Sequence, residues 1–333
     1  MDSVQFNILR NQLAISPNII ITTHYNPDGD AIGSSLALYL ILRRLGYNVS
    51  VIAPNDYPNF LKWLPGTENI NIYENNDVIC DSLIRKADMI FCLDYNALNR
   101  VKLFSDKLLD SKAIKILIDH HIDPSDEFDF VHSRISISST CELLYEFITG
   151  LGYNNLIDKD IAECLYVGIM TDTGSFSFAC NFSQTYEITA SLIKQGIDAE
   201  QIHRAVYDTY SENRMRLLGY CLSERLMVNH KYKTAYIWLT QHDLARFNHQ
   251  VGDTEGVVNY ALSIKGITLA VLFTAQNDRI RISFRSKGEF SVNEFARKHY
   301  NGGGHRNAAG GDSFLGIAET LQKFEELLPI YFG

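Results

Sequence analysis

Short runs of β-branched and other apolar residues recur along the first half of the chain, separated by stretches with helical spacing. Asn18–His24 (NIIITTH), Asn48–Pro54, Met89–Asp94 (MIFCLD) and Ala113–His121 (AIKILIDHH) have the length and composition of buried strands. Ala31–Leu45, Ser138–Gly150 and Lys159–Met170 carry apolar positions at helical spacing, and Gly46 supplies a stop for the first. Strands alternating with helices predict an α/β fold, a parallel sheet covered on both faces. From about Gln184 to Leu226 the pattern is helical and polar-rich, which suits a connector. Beyond it come strand-like KTAYIWLT, ITLAVLFTAQ and RIRISFRS, helix-like SVNEFARKHY, and the loop NGGGHRNAAGG. These predict a second, smaller α/β unit. The expected division is 1–190 for the first domain, 191–226 for a helical connector and 227–333 for the second domain.

Three of the strand-like runs end in candidate metal ligands: THYNPDGD, CLD and IDHH. In open parallel sheets, ligands bind beyond the carboxyl ends of the strands, so these residues can converge in space. Taken singly, each has an ordinary structural explanation. Asp28 and Asp30 suit a turn and a helix cap around Pro27 and Gly29. Asp94 suits a turn. Asp172, in GIMTDTGSF, suits a helix end. His120 and His121 would point to opposite faces if the strand continued, one toward metal and the other toward substrate or a neighbour. Taken together they form a mixed His/Asp set, rich in oxygen, which suits Mn²⁺ best and then Mg²⁺ or Co²⁺. Cations also offset the repulsion between carboxylates as close as Asp28 and Asp30. Two metals sharing a carboxylate can hold an attacking hydroxide and clamp both reacting oxygens of a phosphoryl group.

The length of 333 residues is about right for two domains. The N-terminal stretch is too polar for a secretory h-region, and no apolar run approaches a membrane span, so a cytoplasmic protein with no membrane partner is expected. The six scattered cysteines contain no CxxC pair and read as buried, reduced thiols. The net charge of −9 is uneven: −11 up to Arg225 and +2 from Leu226 onward. So acidic a body argues against a long nucleic-acid duplex as partner. A small anionic substrate met by local cations fits better. In the second unit, the glycines of NGGGHRNAAGG let backbone N–H groups approach phosphate, with His305 and Arg306 beside them. Arg285 and Ser286 in FRSKG can also hold phosphate.

These motifs, HYNPDGDAIGS, CLD, IDHH, GIMTDTGSF, FRSKG and NGGGHRNAAGG, resemble in kind and order the DHH phosphoesterases with their associated C-terminal domain. Within that family the chain is similar to the nanoRNase/pAp phosphatase branch. They span His24 to Gly311. The resemblance implies two Mn²⁺ ions. His24 and Asp28 would bind one; Asp30, His120 and Asp172 the other; Asp94 would bridge them. It also implies that Asp119 orients His120 and that His121 contacts the scissile phosphate or donates a proton. Arg285, Ser286, Gly303, Gly304 and His305 would grip the substrate's terminal phosphate or nucleotide. Asn26 departs from the residue that many relatives carry before the Pro-Asp-Gly-Asp run.

The expected activity is hydrolysis of short single-stranded RNA and of 3′-phosphoadenosine 5′-phosphate (pAp) to AMP. Alternatives are a phosphodiesterase for linear or cyclic dinucleotides (pApA, cyclic di-AMP), an inorganic pyrophosphatase or exopolyphosphatase, and a nucleotide-binding module without turnover. A homodimer is left open.

Overall fold

The computed structural model describes residues 1–250 and 252–333. Two compact units emerge, Met1–Thr209 and Tyr210–Gly333. The stretch expected to be a connector is divided between helices of both.

The first unit carries a six-stranded sheet: β1 (Asn18–Thr22), β2 (Asn48–Ala53), β3 (Ile70–Ile72), β4 (Met89–Leu93), β5 (Ile114–Asp119) and β6 (Phe130–Ser133). Every pairing is parallel, in the order β3-β2-β1-β4-β5-β6. Its helices are α1 (Ser3–Ala14), α2 (Gly29–Arg44), α3 (Asp77–Lys86), α4 (Ser105–Asp110), α5 (Thr140–Gly150), α6 (Lys159–Asp172), α7 (Ser183–Ile193) and α8 (Ala199–Tyr207). The strands are apolar at nearly every position because both faces are covered. Ile19, Ile21, Phe91, Ile116 and Ile118 pack on the side of α2, α5 and α6. Their neighbours Ile20, Ile90, Cys92 and Leu117 pack on the side of α3 and α4. All six cysteines are buried free thiols.

Strand order reverses direction at β1, with β2 on one side and β4 on the other. This is the switch point at which adjacent connections leave a crevice beyond the strand ends. The sequence places THYNPDGD after β1 and Asp94 after β4, one at each lip of that crevice.

The second unit contains α9 (Glu212–Glu224), β7 (Leu226–Asn229), β8 (Thr234–Leu239), α10 (Gln241–Arg246), α11 (Val257–Leu262), β9 (Leu269–Ala275), β10 (Ile280–Ser286), α12 (Val292–His299), β11 (Gly303–His305), β12 (Ala308–Ser313) and α13 (Ile317–Phe332). The sheet order is β11-β12-β10-β9-β8-β7, antiparallel except for β8 with β9. Val271, Phe273, Ile282 and Phe284 face α12 and α13, while Ile237, Ala270 and Leu272 face α9 and α11.

The glycine-rich stretch expected to be a loop is a hairpin instead. β11 and β12 are joined by Arg306 and Asn307. Asn307 ties the turn down, its side-chain amide donating to Ser286 Oγ at 2.8 Å and to the Gly288 carbonyl at 3.0 Å. A Cβ on Gly302 would lie 2.0 Å from the Gly310 carbonyl oxygen, so glycine there permits strand contact as well as any ligand. Among the described residues, no helix is long and apolar enough to cross a membrane.

Candidate metal centre

The site begins with the way α2 starts. Asp28 is its N-cap: Oδ1 accepts from the Asp30 and Ala31 amides at 3.1 Å each. The helix therefore begins at Gly29, two residues earlier than its apolar spacing suggests. Capping occupies only one carboxylate oxygen. The other, Oδ2, stands 3.9 Å from His24 Nε2. The cap and the candidate ligand are the same residue, with one oxygen for each role. Ahead of it, Asn26 adopts a left-handed φ of 58°, which asparagine tolerates better than most residues, and exchanges hydrogen bonds with Asn55.

Asp30 is buried within the first turn of α2. Its Oδ2 accepts from the Thr140 amide at 2.6 Å and its Oδ1 from the Cys141 amide at 2.8 Å, both at the start of α5. Asp94 follows β4 in a left-handed conformation, φ 65°, and is also buried. Its Oδ2 lies 3.4 Å from His24 Nε2, and its Oδ1 lies 3.6 Å from His120 Nε2. His120 Nε2 is also 3.8 Å from Asp30 Oδ2 and 3.5 Å from Asp172 Oδ2. Asp172 is the last residue of α6, inside the helix that was expected to stop at Met170.

Close approach of α6 to α2 brings Asp172 to this place. A Cβ on Gly33 would sit 2.4 Å from the Cys164 carbonyl oxygen; one on Gly168 would sit 2.1 Å from Cys141 Sγ and 2.8 Å from Asp30 Oδ1. Gly33→Ala is expected to destabilise the chain by about 1–3 kcal/mol, because the contact is with backbone that cannot swing aside. A lower urea midpoint at unchanged m-value checks it.

β5 ends at Asp119, and the chain turns there, so His120 and His121 do not diverge to opposite faces. Their ring centroids are 5.1 Å apart. Both oxygens of Asp119 engage His121: Oδ1 lies 2.7 Å from the ring Nδ1, and Oδ2 accepts from the His121 amide at 3.0 Å. The orienting carboxylate thus acts on His121, where the resemblance had assigned it to His120. Burial holds the His121 imidazole below its ordinary pKa, against the pull of Asp119. A neutral ring beside this carboxylate carries its proton on Nδ1 and its lone pair on Nε2.

Ligand atoms thus gather within 4.8 Å in three groups of this unit: His24, Asp28 and Asp94; Asp30, His120 and Asp172; Asp94, Asp119 and His121. Asp94 joins the first two, facing one with each oxygen. Burial, followed by the charge of Asp172, pushes the Asp30 carboxyl up to about 7, against the nearby His120. Burial and the charges of Asp30, Asp28, Asp172 and Asp119 push Asp94 well above the carboxylate range. Among the described residues, the basic side chains within 4.0 Å of the Asp30 and Asp94 carboxylates are histidines, with no lysine or arginine. Clustered carboxylates so poorly neutralised fit divalent cations, and the imidazole and carboxylate donors suit Mn²⁺ or Mg²⁺ better than a thiolate-bound metal.

This has a pH consequence for the metal-free chain. An unfolded aspartate gives up its proton near pH 4, but folded Asp30 keeps it to about 7. Across that window the folded state binds more protons, so stability falls as pH rises and levels off above 7. A shift of about three units corresponds to at most about 4 kcal/mol. Urea unfolding in a chelator at pH 5 and pH 8 should show the lower midpoint at pH 8.

In the second unit, the candidate substrate residues separate. Arg285 and His305 are both registered against Ala308, so they share one sheet face, two strand spacings (about 10 Å) apart. The next row on that face is Ser283, Gly310 and Gly303, a floor almost without side chains. Gly304 lies in the alternate row. Ser286 points to the opposite face and is buried; its hydroxyl donates to the Phe290 carbonyl at 2.7 Å and accepts from Asn307. Arg285 Nη1 donates to the Phe284 carbonyl at 3.0 Å.

The sequence reading missed Thr140, whose hydroxyl donates to Asp94 Oδ1 at 2.9 Å. The only local signal was a serine and threonine pair ahead of a helix.

Comparison with known proteins finds a match for each of the two units. Residues 18–169 match the model of the DHH family, N-terminal domain, and residues 229–329 match the DHHA1 domain. A Bacillus subtilis protein named bifunctional oligoribonuclease and PAP phosphatase NrnA is 28% identical over 94% of this chain and 97% of its own. A Thermus thermophilus protein of the same name is 31% identical, over 89% of this chain and 84% of its own. The crystal structure of an exopolyphosphatase-related protein from Bacteroides fragilis superposes with a TM-score of 0.95 at 42% identity, covering 99% of this chain and 97% of that one.

Proposed function

Since the chain belongs to the DHH family of phosphoesterases, with a DHHA1 domain after the first, we propose that it hydrolyses short oligoribonucleotides and pAp, releasing AMP from the latter, with two Mn²⁺ ions. The observation that carries this reading is the position of Asp94 between two groups of N and O donors that could each hold a cation. The names of the relatives support the substrate class.

In this reading His24, Asp28 and Asp94 would hold one cation, and Asp30, His120, Asp172 and Asp94 would hold the other. When bound, the cations stabilise negative charge on phosphoryl oxygens and bring a water within reach of deprotonation near neutral pH. The chain's own groups do the rest. Burial of Asp30 and Asp94 keeps bulk water from competing for their lone pairs. Asp119 holds the His121 ring with Nε2 presented as an acceptor. His121 can return a proton to the leaving oxygen once an anionic phosphate has favoured its protonated form. Arg285 and His305 grip a phosphate or nucleotide over the Gly303–Gly310 floor, where the missing side chains let it lie close. Ser286, turned to the core, supports the turn rather than the substrate.

A panel of substrates with Mn²⁺ tests this: RNA of two to five nucleotides, pAp, pApA, cyclic di-AMP and pyrophosphate. Turnover of the short RNA and pAp, lost in EDTA and restored by Mn²⁺, is the expected result. Turnover of pyrophosphate alone would overturn the proposal.

A further inference from the structure

We propose that Thr140 is a positioning residue for two carboxylates of the metal centre, Asp30 and Asp94. It is the first residue of α5, following the N-cap Ser139. Its amide, one of the helix's otherwise unpaired N–H groups, donates to Asp30 Oδ2 at 2.6 Å, and its hydroxyl donates to Asp94 Oδ1 at 2.9 Å. The Cys141 amide holds the other oxygen of Asp30 at 2.8 Å. Thr140, Asp30 and Asp94 are at most 2% exposed, so water does not compete for these bonds.

One residue therefore fixes a carboxylate from each of two elements, α2 and the end of β4. It does so at the two oxygens that face His120. The Thr140 hydroxyl takes one lone pair of Asp94 Oδ1. The remaining lone pair is then aimed, and the carboxylate plane is set for sharing between the two donor sets. α5 is itself anchored. Ser139 Oγ accepts from the Glu142 amide at 3.0 Å, and the buried Glu142 carboxylate accepts from Ser138 and, at 2.8 Å, from Thr185 in α7. Groups that orient ligands in this way are typically worth about 10–100-fold in metal affinity.

The inference rests on Asp30 and Asp94 being ligands, and the experiment separates the two ideas. Mn²⁺ uptake by the full chain is followed by calorimetry and by loss of the free-ion EPR signal, for wild type, Thr140→Val and Thr140→Ser. Valine keeps the shape and the amide but removes the hydroxyl; serine keeps the hydroxyl. The expected result is an affinity about 10–100-fold weaker in Thr140→Val, restored to within a few-fold in Thr140→Ser, with both variants folded by circular dichroism. Wild-type affinity in Thr140→Val overturns the inference while leaving the proposed metal centre standing. Equal weakening in Thr140→Ser also overturns it, since packing would then be the cause. A wild-type chain that takes up no Mn²⁺ overturns the metal centre and this inference with it.

Discussion

Asp94→Asn is expected to lower phosphoesterase turnover by about 10³-fold or more and to make the metal-free chain more stable at pH 8. The activity loss follows from the position of Asp94 between two donor sets, 3.4 Å from His24 with one oxygen and 3.6 Å from His120 with the other. An amide offers one oxygen and one N–H group, so it cannot serve both sides as an anion. Losing several kcal/mol of charge stabilisation in the transition state corresponds to three or more powers of ten. The stability gain has the opposite sign because Asp94 is buried among Asp30, Asp28, Asp172 and Asp119, all of which raise its pKa. Removing that charge removes a repulsion which only cations offset. Turnover and urea unfolding on one preparation check both halves. Near-normal turnover would contradict a shared carboxylate.

Asp119→Asn is expected to lower kcat by about 10²-fold or more with little change in KM. The two oxygens of Asp119 meet the ring Nδ1 and the amide N–H of His121. An asparagine that keeps its oxygen on the amide must turn its own N–H₂ toward Nδ1. The ring proton then moves to Nε2, and the lone pair faces away from the substrate side. In a catalytic triad the same exchange costs about 10⁴ through the wrong tautomer. Nitrogen-15 NMR of the His121 ring reads the tautomer directly. An unchanged tautomer together with unchanged kcat would remove His121 from the mechanism.

The architecture was legible because strands buried on both faces carry continuous apolar runs, and three of those runs end at candidate ligands. The grouping of the candidate ligands of the first unit was also legible, since His24, Asp94 and His120 lie just past strand ends and Asp28 follows in the turn after β1. What was not legible depends on distant contacts. The α2 start was misplaced because Asp28 both caps the helix and faces His24, and local spacing reports neither. Gly29 read as a turn residue and Gly33 as one position of the predicted helix, but Gly33 is required by α6, more than a hundred residues later in the chain. Thr140 was missed for the same reason: its meaning lies in Asp30 and Asp94, which only folding brings beside it. The glycine-rich stretch read as a loop because glycine is rare in strands. Its register against β12 shows that small residues there admit close backbone contact. Ser286 followed Arg285 in the same motif, but strand alternation put the two on opposite faces.

The account stands on two cations sharing Asp94, and anomalous diffraction from crystals soaked in Mn²⁺ tests that most directly. Two anomalous peaks are predicted, one among His24, Asp28 and Asp94 and one among Asp30, His120, Asp172 and Asp94. A single peak, or peaks away from Asp94, would contradict it.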